Sequence, residues 1–213
     1  MSSVFGKNIT VSVFGQSHSN SIGVVIDGLP AGHRIDMEKL SNFMSRRAPG
    51  KNELSTSRRE ADEPEILSGV KDGVLCGAPL AAVIRNTDVK PQDYANCMDT
   101  PRPGHADLTA YIKYHGAQDS SGGGHFSGRL TAPLCVAGGI FIQLLEEKGI
   151  VIGAHIAEIA GVRDISFDAV TISPQELKLV SQTPFPVKDS EAGEIMKRAI
   201  EAAKKREILW VEL

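Results

Sequence analysis

Strand-like and helix-like segments are mixed along this chain without a regular β-α-β rhythm, and that order limits the fold more than any other feature. A doubly wound parallel sheet needs strands and crossover helices in alternation, so the pattern predicts an α+β protein. Residues 9–15 and 21–28 are rich in β-branched side chains and bounded by turn residues, which predicts two strands; residues 80–85 predict another. Asp36 is placed to cap a helix, with Glu38 in the first turn and Leu40, Phe43 and Met44 at helical spacing. Ala48-Pro49-Gly50 stops that helix just after Arg46 and Arg47. Residues 86–104, rich in Asp, Asn and Pro, predict a long loop. A short helix is expected over 106–115, closed by Gly116. A strongly apolar helix is expected from Thr131, with Pro133 in its first turn and Gly149 beyond its end. Its stripe is Val136, Ile140, Phe141, Leu144 and Leu145. Residues 150–162 predict a strand. Ser190 is expected to cap a last helix that turns Ile195, Ala199, Ala202 and Ala203 inward, with Glu201 and Lys205 as an i,i+4 pair.

The charge balance, 23 Lys and Arg against 26 Asp and Glu, argues against a general nucleic-acid binder, which carries a basic excess. No run of 18 apolar residues occurs, so no membrane span is expected, and the first residues lack the pattern of a secretory signal. Cys76, Cys97 and Cys135 are far apart with no C-x-x-C, which excludes a zinc ribbon or disulfide framework and fits a reducing cytosol; all three read as buried small hydrophobes. No G-x-G-x-x-G, P-loop or H-E-x-x-H is present. Gly15-Gln16-Ser17-His18-Ser19 approaches a G-x-S-x-G elbow, but Ser19 stands where the second glycine belongs.

Three signals carry chemistry. His18 and His105 lie in loops beside glycine and small residues, where an imidazole can act as acid or base near neutral pH or can simply be solvated. Arg46, Arg47, Arg58, Arg59, Arg85, Arg102 and Arg129 sit mostly at element ends or in polar loops. If they converge, they suit a small polyanion, because guanidinium binds carboxylate and phosphate in bidentate fashion; scattered surface charge is the alternative. Gly122-Gly123-Gly124-His125-Phe126-Ser127-Gly128-Arg129-Leu130-Thr131 places a glycine turn directly before a helix, where backbone N–H groups can meet an anion.

Taken together, the chain resembles the chorismate synthase family. The resemblance rests on collinear blocks: Phe14-Gly15-Gln16-Ser17-His18, Asp27-Gly28-Leu29-Pro30-Ala31-Gly32, Arg46-Arg47-Ala48-Pro49-Gly50, Arg58-Arg59-Glu60-Ala61-Asp62, Glu65-Ile66-Leu67-Ser68-Gly69-Val70, Ile84-Arg85-Asn86-Thr87-Asp88, Pro101-Arg102-Pro103-Gly104-His105-Ala106-Asp107, and the segment from Gly122 to Thr131. It implies part of a β-α-β sandwich, with a mostly antiparallel sheet and helices. It also implies a lyase of aromatic amino-acid biosynthesis that eliminates phosphate from 5-enolpyruvylshikimate 3-phosphate with reduced FMN, in a cytoplasmic homotetramer. By the same resemblance, His18 and His105 would be catalytic. Arg46, Arg47, Arg58, Arg102 and Arg129 would bind substrate. Arg47 would also meet NADPH in members that reduce their own flavin, and His125, Phe126 and Ser127 would contact the flavin.

The chain departs from the family pattern at Gln16 for a glutamate, Ser19 for a glycine, Ala48 within an arginine triplet and Ser121 for an arginine. Glu53 replaces a second NADPH-contacting arginine and would repel that phosphate, which argues against NADPH as reductant here. Residues 1–205 read as the N-terminal part of a family domain, and residues 206–213 as an unrelated tail. One set of codons for Arg206-Glu207-Ile208-Leu209-Trp210-Val211-Glu212-Leu213, read two bases out of step, gives the family's Gly-Asp-Ser-Val-Gly-Gly-Val, so a frameshift is expected. Such a chain is expected to expose apolar faces and to be poorly soluble. The competing readings are an inactive remnant or phosphate-ligand-binding fragment, and a basic-patch nucleic-acid binder.

Overall fold

The β-branched runs form the sheet they predict. The computed structural model describes residues 3–50, 54, 60–87 and 100–206. Strand β1 covers Val4–Gly6, β2 Thr10–Gly15, β3 Ser21–Asp27, β4 Glu65–Ser68, β5 Val70–Lys71, β6 Val74–Leu75 and β7 Leu80–Arg85. Five of them make an antiparallel sheet in the order β1-β2-β3-β7-β4, and β5 pairs with β6 in a separate ribbon. Thr10 lies opposite Asp27 and Gly15 opposite Ile22, so the polar link carrying His18 closes a hairpin at one end of the sheet. Ile22, Val24 and Ile26 alternate along β3 and are completely buried, as period-2 spacing requires of a face turned to the core.

Two helices cover that face. Helix α1, Met37–Arg47, begins where Asp36 accepts a hydrogen bond from the Lys39 N–H at 2.9 Å, and it buries Leu40 and Met44. Helix α3, Thr131–Glu146, buries Val136, Ala137, Ile140 and Leu144 in the same core. The two helices meet at Gly139, where a Cβ would stand 2.7 Å from Cδ1 of Leu40, so only glycine permits the approach. Buried Gln143 fixes the register of the pair: its Oε1 accepts from the Asp36 N–H and its Nε2 donates to the Asp36 carbonyl. The segment Gly128–Glu146 is long and apolar enough, by length and composition, to cross a membrane. It holds the place of a core helix here, and it carries a buried arginine, Arg129, at its start.

Contacts divide the chain into residues 1–51 with 56–144, and 52–55 with 145–213. The first unit also holds helix α2, Asp107–Tyr114, whose end is turned by left-handed His115 and Gly116. In the second unit, β8 (Glu158–Ile159) and β9 (Val162–Arg163) form a hairpin, followed by α4 (Pro174–Gln182) and α5 (Ser190–Lys205). Four expectations are corrected there. The strand over 150–162 reduces to β8 and the first residue of β9, because its earlier residues have no ladder partner among the described residues and Ile150 and Ile152 are exposed. Asp189, not Ser190, caps α5, its carboxylate accepting from the Glu191 and Ala192 N–H groups. Ile195 and Ala202 face outward, and Met196 is the fully buried residue. Helix α4, capped by Ser173, was not expected.

Cys76 is exposed and Cys135 half-buried, so the cysteines are not uniformly core residues; Cys97 lies outside the described residues. So do residues 88–99 of the expected long loop, Glu53, Arg58, Arg59 and the tail from 207.

Candidate active site

The glycine turn is the hinge of the site. Gly122 and Gly124 adopt left-handed backbone, with φ of 63° and 53°. The Gly124 carbonyl accepts from the Ser17 N–H at 3.0 Å, and the Gly122 carbonyl accepts from Nη2 of Arg102 at 2.6 Å. The turn thus stands between the hairpin that carries His18 and the loop that carries Arg102 and His105.

On the hairpin side, buried Ser17 places its Oγ 2.9 Å from Nδ1 of His18 and 3.3 Å from the Ser121 carbonyl. A carbonyl only accepts, so the Ser17 hydroxyl donates to it and its oxygen accepts from Nδ1–H of His18. That arrangement places the proton of the His18 ring on Nδ1.

On the other side, Asp107 gathers the loop. It accepts from the Arg102 N–H at 3.0 Å, from Nε at 2.7 Å and from Nη2 at 2.8 Å, and its Oδ1 lies 2.7 Å from Nδ1 of His105. The hydrogen bonds from the Arg102 side chain hold the Asp107 carboxyl well below the usual carboxylate range, against the opposing effect of burial. A carboxylate on Nδ1 favours the His105 tautomer that carries its proton there.

Arg47 and Arg129 converge, but on the protein's own carboxylates. Asp62, fully buried and left-handed at φ 55°, pairs with Nη1 of Arg47 at 2.5 Å and with Nη1 of Arg129. Arg129 is itself buried, and its Nη2 pairs with Glu60 while its Nε donates to Oδ1 of Asn86 at 3.2 Å. Arg47 also reaches the Gly128 carbonyl and Oγ1 of Thr131, and it stays partly exposed. Arg46 is exposed at the end of α1, and Arg85 is spent on Glu65 at the surface. Arg58 lies outside the described residues.

His125, Phe126 and Ser127 share a cavity of about 460 Å³ with Phe5, Tyr114, Leu130 and Leu134. Nδ1 of His125 donates to the Gly15 carbonyl at 2.8 Å, so Nε2 accepts from the Ser3 hydroxyl at 2.7 Å. Both ring nitrogens are therefore engaged, and His125 presents only its ring to the cavity. Ser127 Oγ accepts from the Arg129 N–H at 3.2 Å, which leaves its hydroxyl proton for another partner.

Sequence reasoning missed Ser17, Glu60, Asp62, Asn86 and Tyr114. The signal for the carboxylates was present, two acids directly after the Arg58-Arg59 pair, but their partners lie far along the chain.

The chain is an α+β protein in which a glycine turn lies between two held histidines, with Arg47 and buried Arg129 paired to carboxylates. The chorismate synthase family profile matches residues 9–207. The chain is 44% identical over 182 residues to the chorismate synthase of Lancefieldella parvula, covering 85% of this chain and 48% of that one. It is 42% identical over 200 residues to that of Thermococcus kodakarensis, covering 94% and 54%, and 50% identical over 159 residues to that of Campylobacter curvus, covering 74% and 44%. A crystal structure of a chorismate synthase superposes with a TM-score of 0.68 at 23% identity, over 94% of this chain and 54% of that one, which shows the shared fold. The chain belongs to the chorismate synthase family. It spans about half the length of the curated relatives it matches.

Proposed function

We propose that this chain carries the acid–base and anion-binding part of a chorismate synthase site, where 5-enolpyruvylshikimate 3-phosphate loses phosphate by 1,4-anti elimination to give chorismate. The observation that carries the reading is the Gly122 turn, which brings the His18 hairpin and the Arg102–Asp107–His105 cluster to opposite sides of one residue. Departure of phosphate is eased by a proton and by neutralising cations. His18, held at Nδ1 by Ser17, delivers the proton from Nε2. Arg102, held on the Gly122 carbonyl, and the partly exposed Arg47 supply positive charge. Arg129, buried on Glu60 and Asp62, sets the position of Arg47 through their shared carboxylate.

The cavity at Phe126 fits the ring system of a flavin: it is largely apolar, flanked by aromatic side chains, and within the roughly 300–1,000 Å³ of small-molecule sites. Phe126, Tyr114, the His125 ring and the Ser127 hydroxyl would hold it. Reduced FMN, held there, would supply electron density to the substrate with no net redox change. His105, with Nδ1 on Asp107, holds or releases the accompanying proton at Nε2. The reading extends to a cytoplasmic homotetramer, supported by the family alone.

Anaerobic titration with reduced FMN, followed by assay of phosphate release, tests this. Phe126→Ala should abolish flavin binding, while His18→Ala should keep it and lose turnover. A folded chain that binds no flavin and releases no phosphate would make it a non-catalytic fragment.

A further inference from the structure

We infer that Asn86 is a positioning residue for His18, holding the turn that carries it; the inference takes its catalytic meaning from the function proposed above. Asn86 follows the last residue of β7, and its Nδ2 donates to two carbonyls of the His18 hairpin, that of Gln16 at 3.2 Å and that of Ser19 at 2.7 Å. Those carbonyls flank Ser17 and His18, so one side chain spans the turn from end to end. The Asn86 N–H donates to the Asn20 carbonyl at 3.1 Å, closing the same clamp from the backbone. An amide uses two donors and one acceptor here, and no other uncharged side chain of this length offers both.

The acceptor side leads inward. Oδ1 takes a hydrogen bond from Nε of buried Arg129, whose other nitrogens sit on Glu60 and Asp62. The Glu60 carboxylate returns to the neighbouring residue, accepting the Thr87 N–H at 2.9 Å. The turn with His18 is therefore braced against the most deeply buried charges of this unit rather than against mobile surface groups. Ser19, which stands where the family has glycine, adds bonds within the turn: its Oγ accepts the Gln16 N–H at 3.1 Å, and its single hydroxyl proton is shared between the Gln16 and Ser21 carbonyls. Asn86 is what connects that turn to the arginine network.

Two variants of the full chain separate the roles. Asn86→Asp keeps an acceptor for Arg129 and removes both donors, setting a carboxylate against two carbonyls. Asn86→Ala removes everything. The readouts are the ¹⁵N–¹H spectrum of the His18 ring, hydrogen exchange at the amides of residues 17–19, and the thermal melt. Both variants should lose the Nδ1-protonated pattern of His18 and at least about tenfold of the exchange protection in the turn. Asn86→Asp should melt close to wild type. Where turnover is measured, kcat should fall about 10- to 100-fold with KM little changed, as for a displaced catalytic group. An unchanged His18 spectrum in Asn86→Asp overturns the inference, as does loss of turn protection only in proportion to global stability. If the spectrum responds but the wild-type chain never turns over substrate, the positioning stands and the proposed function fails.

Discussion

A methyl group built on Gly122 would stand 2.4 Å from Cε1 and 2.6 Å from Nδ1 of His18. The ring occupies the space that any other residue at 122 would fill, and φ of 63° there disfavours side chains independently. Gly122→Ala should therefore displace His18 and cost about 1–3 kcal/mol, the range for a non-glycine residue forced into sparsely populated backbone. Chemical shifts of the His18 ring and a urea melt check both halves. A His18 resonance unmoved in the variant would show that the turn, not the ring, yields.

Asp62 holds two guanidinium groups at once, and its left-handed backbone is one that asparagine also tolerates. Asp62→Asn thus removes charge with little change in shape. Arg129, almost without solvent, loses part of its compensation, and breaking a buried pair costs about 3–5 kcal/mol. The melting temperature should fall by about 10 °C, taking about 2–4 °C per kcal/mol for a chain of this size. Arg46→Ala, at an exposed position with no ion pair among the described residues, should leave it unchanged.

The parts legible in the sequence are those fixed by local rules. Asp36 caps α1 because a short acid one residue before the helix has few other uses, and β2, β3 and β7 alternate strongly enough to be read by eye. Helix α4 escaped because only Val180 is buried along it, so no apolar stripe accompanies the Ser173-Pro174 start signal. The expected strand over 150–162 failed for the converse reason: isoleucines were present, but pairing depends on a neighbour that sequence does not show. The histidines and arginines were found by type and setting. What each one touches was not legible, since Asp62 joins Arg47 across 15 positions and Arg129 across 67. Nor could the sequence show that Arg129 is buried and paired with Glu60 and Asp62.

Asp107 gives the loop around His105 its shape, accepting three hydrogen bonds from Arg102 and one from His105. Asp107→Ala frees both side chains. The pair is partly exposed, so the stability cost should be modest, about 1 kcal/mol, whereas the local effect is large. The amide of Arg102 should lose its protection from exchange and the His105 ring its Nδ1-protonated preference. Retained protection at Arg102 would mean that contacts other than Asp107 hold the loop.

In the second unit, Asp164 ties a loop to the start of α5. Its buried carboxylate accepts the N–H groups of Lys188 and Asp189, each at 2.8 Å, and Nδ1 of His155 at 2.7 Å; Asp189 in turn caps α5. Burial pushes this carboxyl up, but the two backbone N–H groups and the imidazole outweigh it and hold the pKa at about 2, below the ordinary 3.8. Because folding lowers the pKa, the carboxylate's contribution is complete above about pH 4 and fades as pH falls toward 2. Acid unfolding followed by circular dichroism should show the second unit losing helix over that interval. Asp164→Ala leaves two half-buried N–H groups without their acceptor, at about 1 kcal/mol each, so it should destabilise the unit at neutral pH and flatten its response between pH 4 and 2. An acid profile identical to wild type in the variant would remove Asp164 as the group responsible.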